Sequence, residues 1–187
     1  MRFHIGEIPD SPDFVPDESW TLLKEPTPWI MQALSLPIGL TLAVVLGVLW
    51  MTLTPLRHGA APSVGECFAG LFAIVPTHEA LHLVMHPRTG DSIIGFWPTR
   101  LLFYTHYHNQ LACRRYLAVL LAPLVVLSLV PLAASALTAS ASPFLAVASV
   151  SNALFASSDL FAAGLLLVRV PPHATLRNKG WRVWWKA

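Results

Sequence analysis

The chain has 187 residues, of which 55% are hydrophobic and only 12% charged, about half the charged fraction of an ordinary soluble domain. That composition argues against a water-soluble enzyme, and a formal charge of +2 supplies no field that would hold nucleic acid. It points to an all-α membrane protein, a bundle of about four transmembrane helices embedded in a lipid bilayer.

Residues 1–28 are acidic and proline-rich. They lack a basic start and a short apolar run closed by small residues, so no cleavable signal peptide is expected and the segment reads as a cytoplasmic extension. Four stretches, residues 29–53, 66–85, 115–137 and 143–168, are long and apolar enough to cross roughly 30 Å of hydrocarbon. Together they define a membrane domain over residues 29–168. Pro123 and Pro131 are expected to bend the third span, and the small residues of the third and fourth spans permit close helix packing. Between spans two and three, "SIIGFWPTRLLFYTHYH" carries two runs rich in Ile, Phe and Tyr around a Trp-Pro-Thr turn, which predicts a β-hairpin. An exposed edge there could pair with an extended peptide; a loop anchored at the interface by Phe96, Trp97 and Tyr104 is the competing expectation. Residues 169–187 are basic and Trp-rich, and "LRNKGWRVWWK" reads as an interfacial anchor rather than a nucleic-acid contact.

Four spans put both termini and the middle loop on one side. Of the twelve Lys and Arg, only Arg57 falls on the other, so the positive-inside rule predicts cytoplasmic termini in a bacterial inner (plasma) membrane protein. Cys67 and Cys113 then lie near opposite faces, which argues against a disulfide or a two-cysteine metal site between them.

Against this apolar background, "PTHEALHLVMHP" over residues 76–87 stands out, because ionisable groups inside a span are costly and mark function. His78, Glu79 and His82 spell HExxH. On a helix, residues four apart lie one above the other, so both imidazoles reach a single ion and Glu79 sits beside them. Zinc with three protein ligands brings the pKa of its water to about 7, and a neighbouring carboxylate takes the proton. A polar cluster between helices without metal is the alternative. For a third ligand, Asp159 is the only aspartate within a span, at a similar depth in span four. Zn2+ with two neutral imidazoles and the carboxylates of Glu79 and Asp159 sums to formal neutrality, which eases burial. Asn152, seven residues before Asp159 and on nearly the same helical face, is a candidate to orient substrate or stabilise an oxyanion, with interhelical packing as an equal alternative. His86 is two turns beyond His78, too far for one ion if the helix continues. His106 and His108 are candidates to shuttle protons or cap the site; His4, His58 and His173 show no metal spacing.

The order "THEALH", an aromatic hairpin segment, "RRYLAVLLAPLVVLSL", "SNALFASSDL" and "LRNKGW" resembles the integral-membrane zincin peptidases, related in logic to the site-2 proteases. The resemblance spans most of the chain. It implies zinc held by His78, His82 and Asp159, with Glu79 as catalytic base, and a membrane-protein or peptide substrate cut at or just inside the membrane surface. One departure concerns substrate geometry: site-2 proteases carry their aspartate beside a proline-glycine turn, whereas Ser157 and Ser158 precede Asp159 here. Two other classes compete with a metallopeptidase, a non-catalytic zinc-binding scaffold or regulator and, more weakly, a transporter.

Overall fold

The computed structural model describes residues 2–58 and 61–187, apart from the side chains of Arg57 and His58. The first long helix, α1, spans Pro28–Leu53; its opening proline costs no bond, because the first N–H groups of a helix have no intrahelical acceptor. Helix α2, Val64–Met85, starts at a capping box. The Ser63 hydroxyl accepts from the Glu66 N–H at 3.2 Å and the Glu66 carboxylate accepts from the Ser63 N–H at 2.8 Å, so two otherwise orphaned donors are satisfied reciprocally. The third span runs through α3, Cys113–Pro123, a π turn at Leu124–Leu129 and α4, Val130–Leu137. These three are long and apolar enough to cross a membrane, close to the ranges expected from sequence.

The fourth span differs. It is two helices, α5 over Pro143–Phe155 and α6 over Ser157–Arg169, bent by 47° and long and apolar enough to cross a membrane only when the pair is taken as one. At the joint, Ala156 has ψ of 1° instead of the helical value near −42°. The main-chain register survives, with Ala156 N–H to Asn152 O at 2.8 Å and Leu160 N–H to Ala156 O at 3.0 Å. Neither glycine nor proline marks the bend.

Helix α1 packs on α5 and α6, and α2 on α3 and α5. Small residues set the approach: a Cβ on Gly39 would stand 2.9 Å from the Ser157 Cβ and 3.0 Å from the Leu154 carbonyl oxygen. Large apolar side chains such as Val44, Phe72 and Leu137 face outward and exposed.

Two small sheets correct the all-α expectation. Strand β1 (Arg2–Ile5) runs parallel to β3 (Ser92–Trp97), which pairs with β4 (Leu102–Tyr107) as an antiparallel hairpin. The predicted hairpin is therefore present, extended by a strand from the N-terminal segment. The second sheet has the order β2 (Thr21–Leu22), β7 (Arg182–Lys186), β6 (Thr175–Lys179), β5 (Leu111–Ala112). The tail read as an interfacial anchor is the hairpin of this sheet, with Leu176 and Val183 buried against Leu23, Cys113 and Leu166. Its partners are two-residue strands far away in the chain, too short to carry a periodic signal. The first sheet joins the N-terminal segment to the segment after α2, and the second joins both of these to the C-terminal segment, so the three meet at one end of the bundle. Cys67 and Cys113 are both free.

Strand β4 ends its sheet. The Gly6 N–H donates to the Phe96 carbonyl at 2.9 Å, so the main chain of Phe96 faces β1 and that of its neighbours Gly95 and Trp97 faces β4. By the alternation of an antiparallel ladder, Leu102, Tyr104 and His106 bond to β3, while the N–H and C=O groups of Phe103, Thr105 and Tyr107 point to the open side. The ring of Tyr104 lies across Gly95, where any Cβ would collide with it.

The helix joint yields a matched test of packing. Gly39→Val is expected to destabilise the protein by roughly 1–3 kcal/mol through overpacking against Ser157 and Leu154. Gly47→Ala, where nothing lies within 4 Å of an added Cβ, is expected to be neutral or to stabilise by up to about 1 kcal/mol. Thermal unfolding in detergent reads both.

Candidate metal centre

Helix α2 presents His78, Glu79 and His82 to the interior, where all three are buried, and their ligand atoms lie within 4.8 Å of one another. The first turn of α6 brings Asp159 to the same point. Its Oδ2 is 3.0 Å from His78 Nε2 and 3.4 Å from His82 Nε2, and the two Nε2 atoms are 3.1 Å apart. Three donor atoms thus form a triangle with sides close to the edge of a tetrahedron around zinc, about 3.3 Å for bonds near 2.0 Å.

The far side of each imidazole decides what these nitrogens carry. His82 Nδ1 lies 2.9 Å from the main-chain carbonyl of Val119, which can only accept, so Nδ1 holds the proton. His78 Nδ1 lies 2.9 Å from Asn152 Oδ1. The Asn152 amide nitrogen donates to the Pro123 carbonyl and to Ser128 Oγ, both at 2.9 Å, which fixes its oxygen toward the histidine. In their neutral forms both rings therefore aim bare Nε2 lone pairs at each other and at the Asp159 carboxylate. Three electron-rich atoms converge with no proton between them, an arrangement that suits a cation and is unfavourable without positive charge. The donor set, two imidazoles and a carboxylate, fits zinc.

Asn152 is completely buried and spends both amide hydrogens and its oxygen inside the bundle. It does not line the cavity beside the histidines. Of the two expectations for Asn152, interhelical packing is the one this geometry matches, since both amide hydrogens are spent on Pro123 and Ser128. Behind it, Ser128 Oγ donates to the Ser149 carbonyl at 2.8 Å, Ser149 Oγ to the Ser128 carbonyl at 3.0 Å, and Trp50 Nε1 to Ser149 Oγ at 3.0 Å. The chain of bonds from His78 ends on α1.

Glu79 is held by a residue that no sequence motif announced. The Thr105 hydroxyl is 2.8 Å from Glu79 Oε2 and 3.1 Å from the Glu79 main-chain oxygen, and its single proton serves one of them at a time. Thr105 lies on β4, so the hairpin reaches the motif directly. Its one legible signal was its place in an aromatic hairpin after the motif helix. A cavity of about 520 Å³ opens beside the set, lined by His78, Glu79, His82 and Asp159 together with β4 and with Tyr116 of α3.

The remaining histidines separate by position. His86 lines the cavity, with Nδ1 3.2 Å from Ser92 Oγ; burial first, then the charges of His82 and Arg115, push it down to about 4. His4 and His173 do not line it. His108 Nδ1 is 2.8 Å from Ser11 Oγ. His106 is buried with no partner for Nε2 among the described residues, on the sheet face opposite Thr105, so it does not cap the site. Burial, followed by His108 and His86 and only weakly opposed by Asp91, pushes His106 down to about 3. An unfolded histidine takes up its proton near 6.5, so below that pH the unfolded chain binds more protons and the stability due to neutral His106 declines as pH falls toward 3. His106→Leu is expected to flatten the loss of thermal stability between about pH 6.5 and 4 relative to wild type; an unchanged acid limb would count against a buried neutral His106.

A family profile described as "Putative zincin peptidase" matches residues 71–175, more than half of the chain, and the match contains every residue of the centre. No curated protein and no solved structure matches the chain. With HExxH on α2 and its ligand atoms gathered at one point, the chain belongs to this family of zincin peptidases.

Proposed function

We propose that the protein is an integral-membrane zinc metallopeptidase that hydrolyses peptide bonds of membrane-associated substrates, with its site on the cytoplasmic side. The observation that carries this reading is the convergence of two imidazole Nε2 atoms and a carboxylate oxygen beside a buried glutamate. His78, His82 and Asp159 would hold the metal. Zinc in such a set polarises a carbonyl and acidifies water. Glu79 takes the proton of the attacking water and passes it to the leaving amine, while Thr105 holds the carboxylate in place. The cytoplasmic assignment rests on the basic residues of the three segments that meet at the sheet end of the bundle.

The open edge of β4 supports an extended peptide as substrate. The outward N–H and C=O groups of Phe103, Thr105 and Tyr107 have no hydrogen-bond partner among the described residues, and the side chains of all three line the cavity. A segment paired there would lie alongside Glu79, with affinity from main-chain bonds and selectivity from the cavity.

Metal content decides the first part. About one zinc per chain is expected in wild type, lost in His78→Ala and Asp159→Ala, whereas Glu79→Gln keeps the metal and lowers cleavage by about 10²–10⁴-fold. Wild type without metal after zinc loading at neutral pH would instead support a polar cluster, and a zinc-loaded protein equally active as Glu79→Gln would remove Glu79 from the base role. A separate variant addresses the edge. Phe103→Pro removes an outward N–H that the sheet does not use, so zinc content should persist while KM for peptides rises; unchanged KM would place the substrate elsewhere.

A further inference from the structure

The third span contains a proline at the level of the two histidines, and the proposed function assigns it nothing. Pro123 is fully buried. Having no N–H, it cannot bond to the carbonyl four residues earlier, and that carbonyl belongs to Val119, the acceptor for His82 Nδ1 at 2.9 Å. The next N–H does not compensate, since Leu124 N–H turns to the Leu121 carbonyl. A buried carbonyl left without a donor is costly, and here an imidazole supplies the donor.

The same residue serves the other histidine. Its own carbonyl accepts from Asn152 Nδ2 at 2.9 Å, the bond that turns Asn152 Oδ1 toward His78 Nδ1. The π turn begins immediately after Pro123, and at its end the Val130 N–H reaches back five residues to Val125, so the α register is broken beside Pro123. Pro131, in the same span, sits eight residues further on and touches neither histidine's acceptor.

We propose that Pro123 is a positioning residue for the metal centre: by freeing the Val119 carbonyl and steering Asn152 with its own, it holds both imidazoles in the form protonated at Nδ1, with Nε2 free for a metal. The metal itself rests on the function proposed above, but the protonation pattern does not. In an ordinary helix, exchanging an interior proline for alanine restores a hydrogen bond and strengthens the helix. Here the restored N–H at position 123 competes with His82 for Val119.

The test is a comparison of wild type, Pro123→Ala and Pro131→Ala in detergent, with zinc affinity measured by chelator competition and the imidazole nitrogens observed by NMR on protein labelled at histidine. Pro123→Ala is expected to weaken zinc binding roughly 10- to 100-fold, as loss of an outer hydrogen-bond partner does, and to lose the bonded Nδ1–H signal of His82 while keeping or raising its unfolding temperature. Pro131→Ala is expected to match wild type in both readouts. Equal zinc affinity and equal spectra in wild type and Pro123→Ala would overturn the proposal, as would equal weakening by both proline variants. If wild type takes up no zinc, the metallopeptidase reading fails and the nitrogen spectra still decide the positioning role. Should Pro123→Ala not fold, the wild-type spectrum alone suffices: His82 protonated at Nε2 and bare at Nδ1 overturns the proposal.

Discussion

Three lone pairs aimed at one point inside an apolar bundle are the constraint around which the molecule is arranged. Nε2 of His78, Nε2 of His82 and Oδ2 of Asp159 lie 3.0–3.4 Å apart, closer than such atoms rest without a proton or a cation between them. Holding them there requires that each imidazole be pinned from behind, and the pins come from α3 and α5. The bundle meets that demand with polar bonds among Ser128, Ser149, Asn152 and Trp50, in a region where every unpaired group would be costly. Close helix contacts at Gly39 and Gly70 let these short side chains reach across.

How far the sequence spoke for the structure follows the range of the interactions. The three unbroken spans and the HExxH turn rest on local composition and helical periodicity, and both were legible. Asp159 was legible because an aspartate in a span has few explanations. The strands β1, β2 and β5–β7 were not, since two to five residues paired with partners up to 164 positions away (Thr21 with Trp185) carry no local pattern. Asn152 was legible as a neighbour of the histidines from its depth and face, with substrate contact and interhelical packing both open; that its hydrogens are spent on Pro123 and Ser128 depends on partners in another span and left no local mark. Thr105 had no signal beyond its place in an aromatic hairpin after the motif helix, and the Val119 carbonyl, being main chain, had none.

The sheet end of the bundle links the segments outside the long helices to the donor set. Thr105 ties the first sheet to Glu79, and α6 connects Asp159 to the second sheet through Val170 and Ala174, both buried in its core. The break at Ala156 divides the span into α5, carrying Asn152, and α6, which carries Asp159 and continues into the tail sheet.

The separation of the donors along the chain also bears on biosynthesis. His78 and His82 emerge from the ribosome about eighty residues before Asp159, and both acceptors that pin them come later as well, Val119 with the third span and Asn152 with the fourth. Until residues 119, 152 and 159 have been made, the motif helix has neither its carboxylate nor its orienting partners. A half-made chain therefore holds an unpinned pair of imidazoles, and the finished centre is a property of the completed fold.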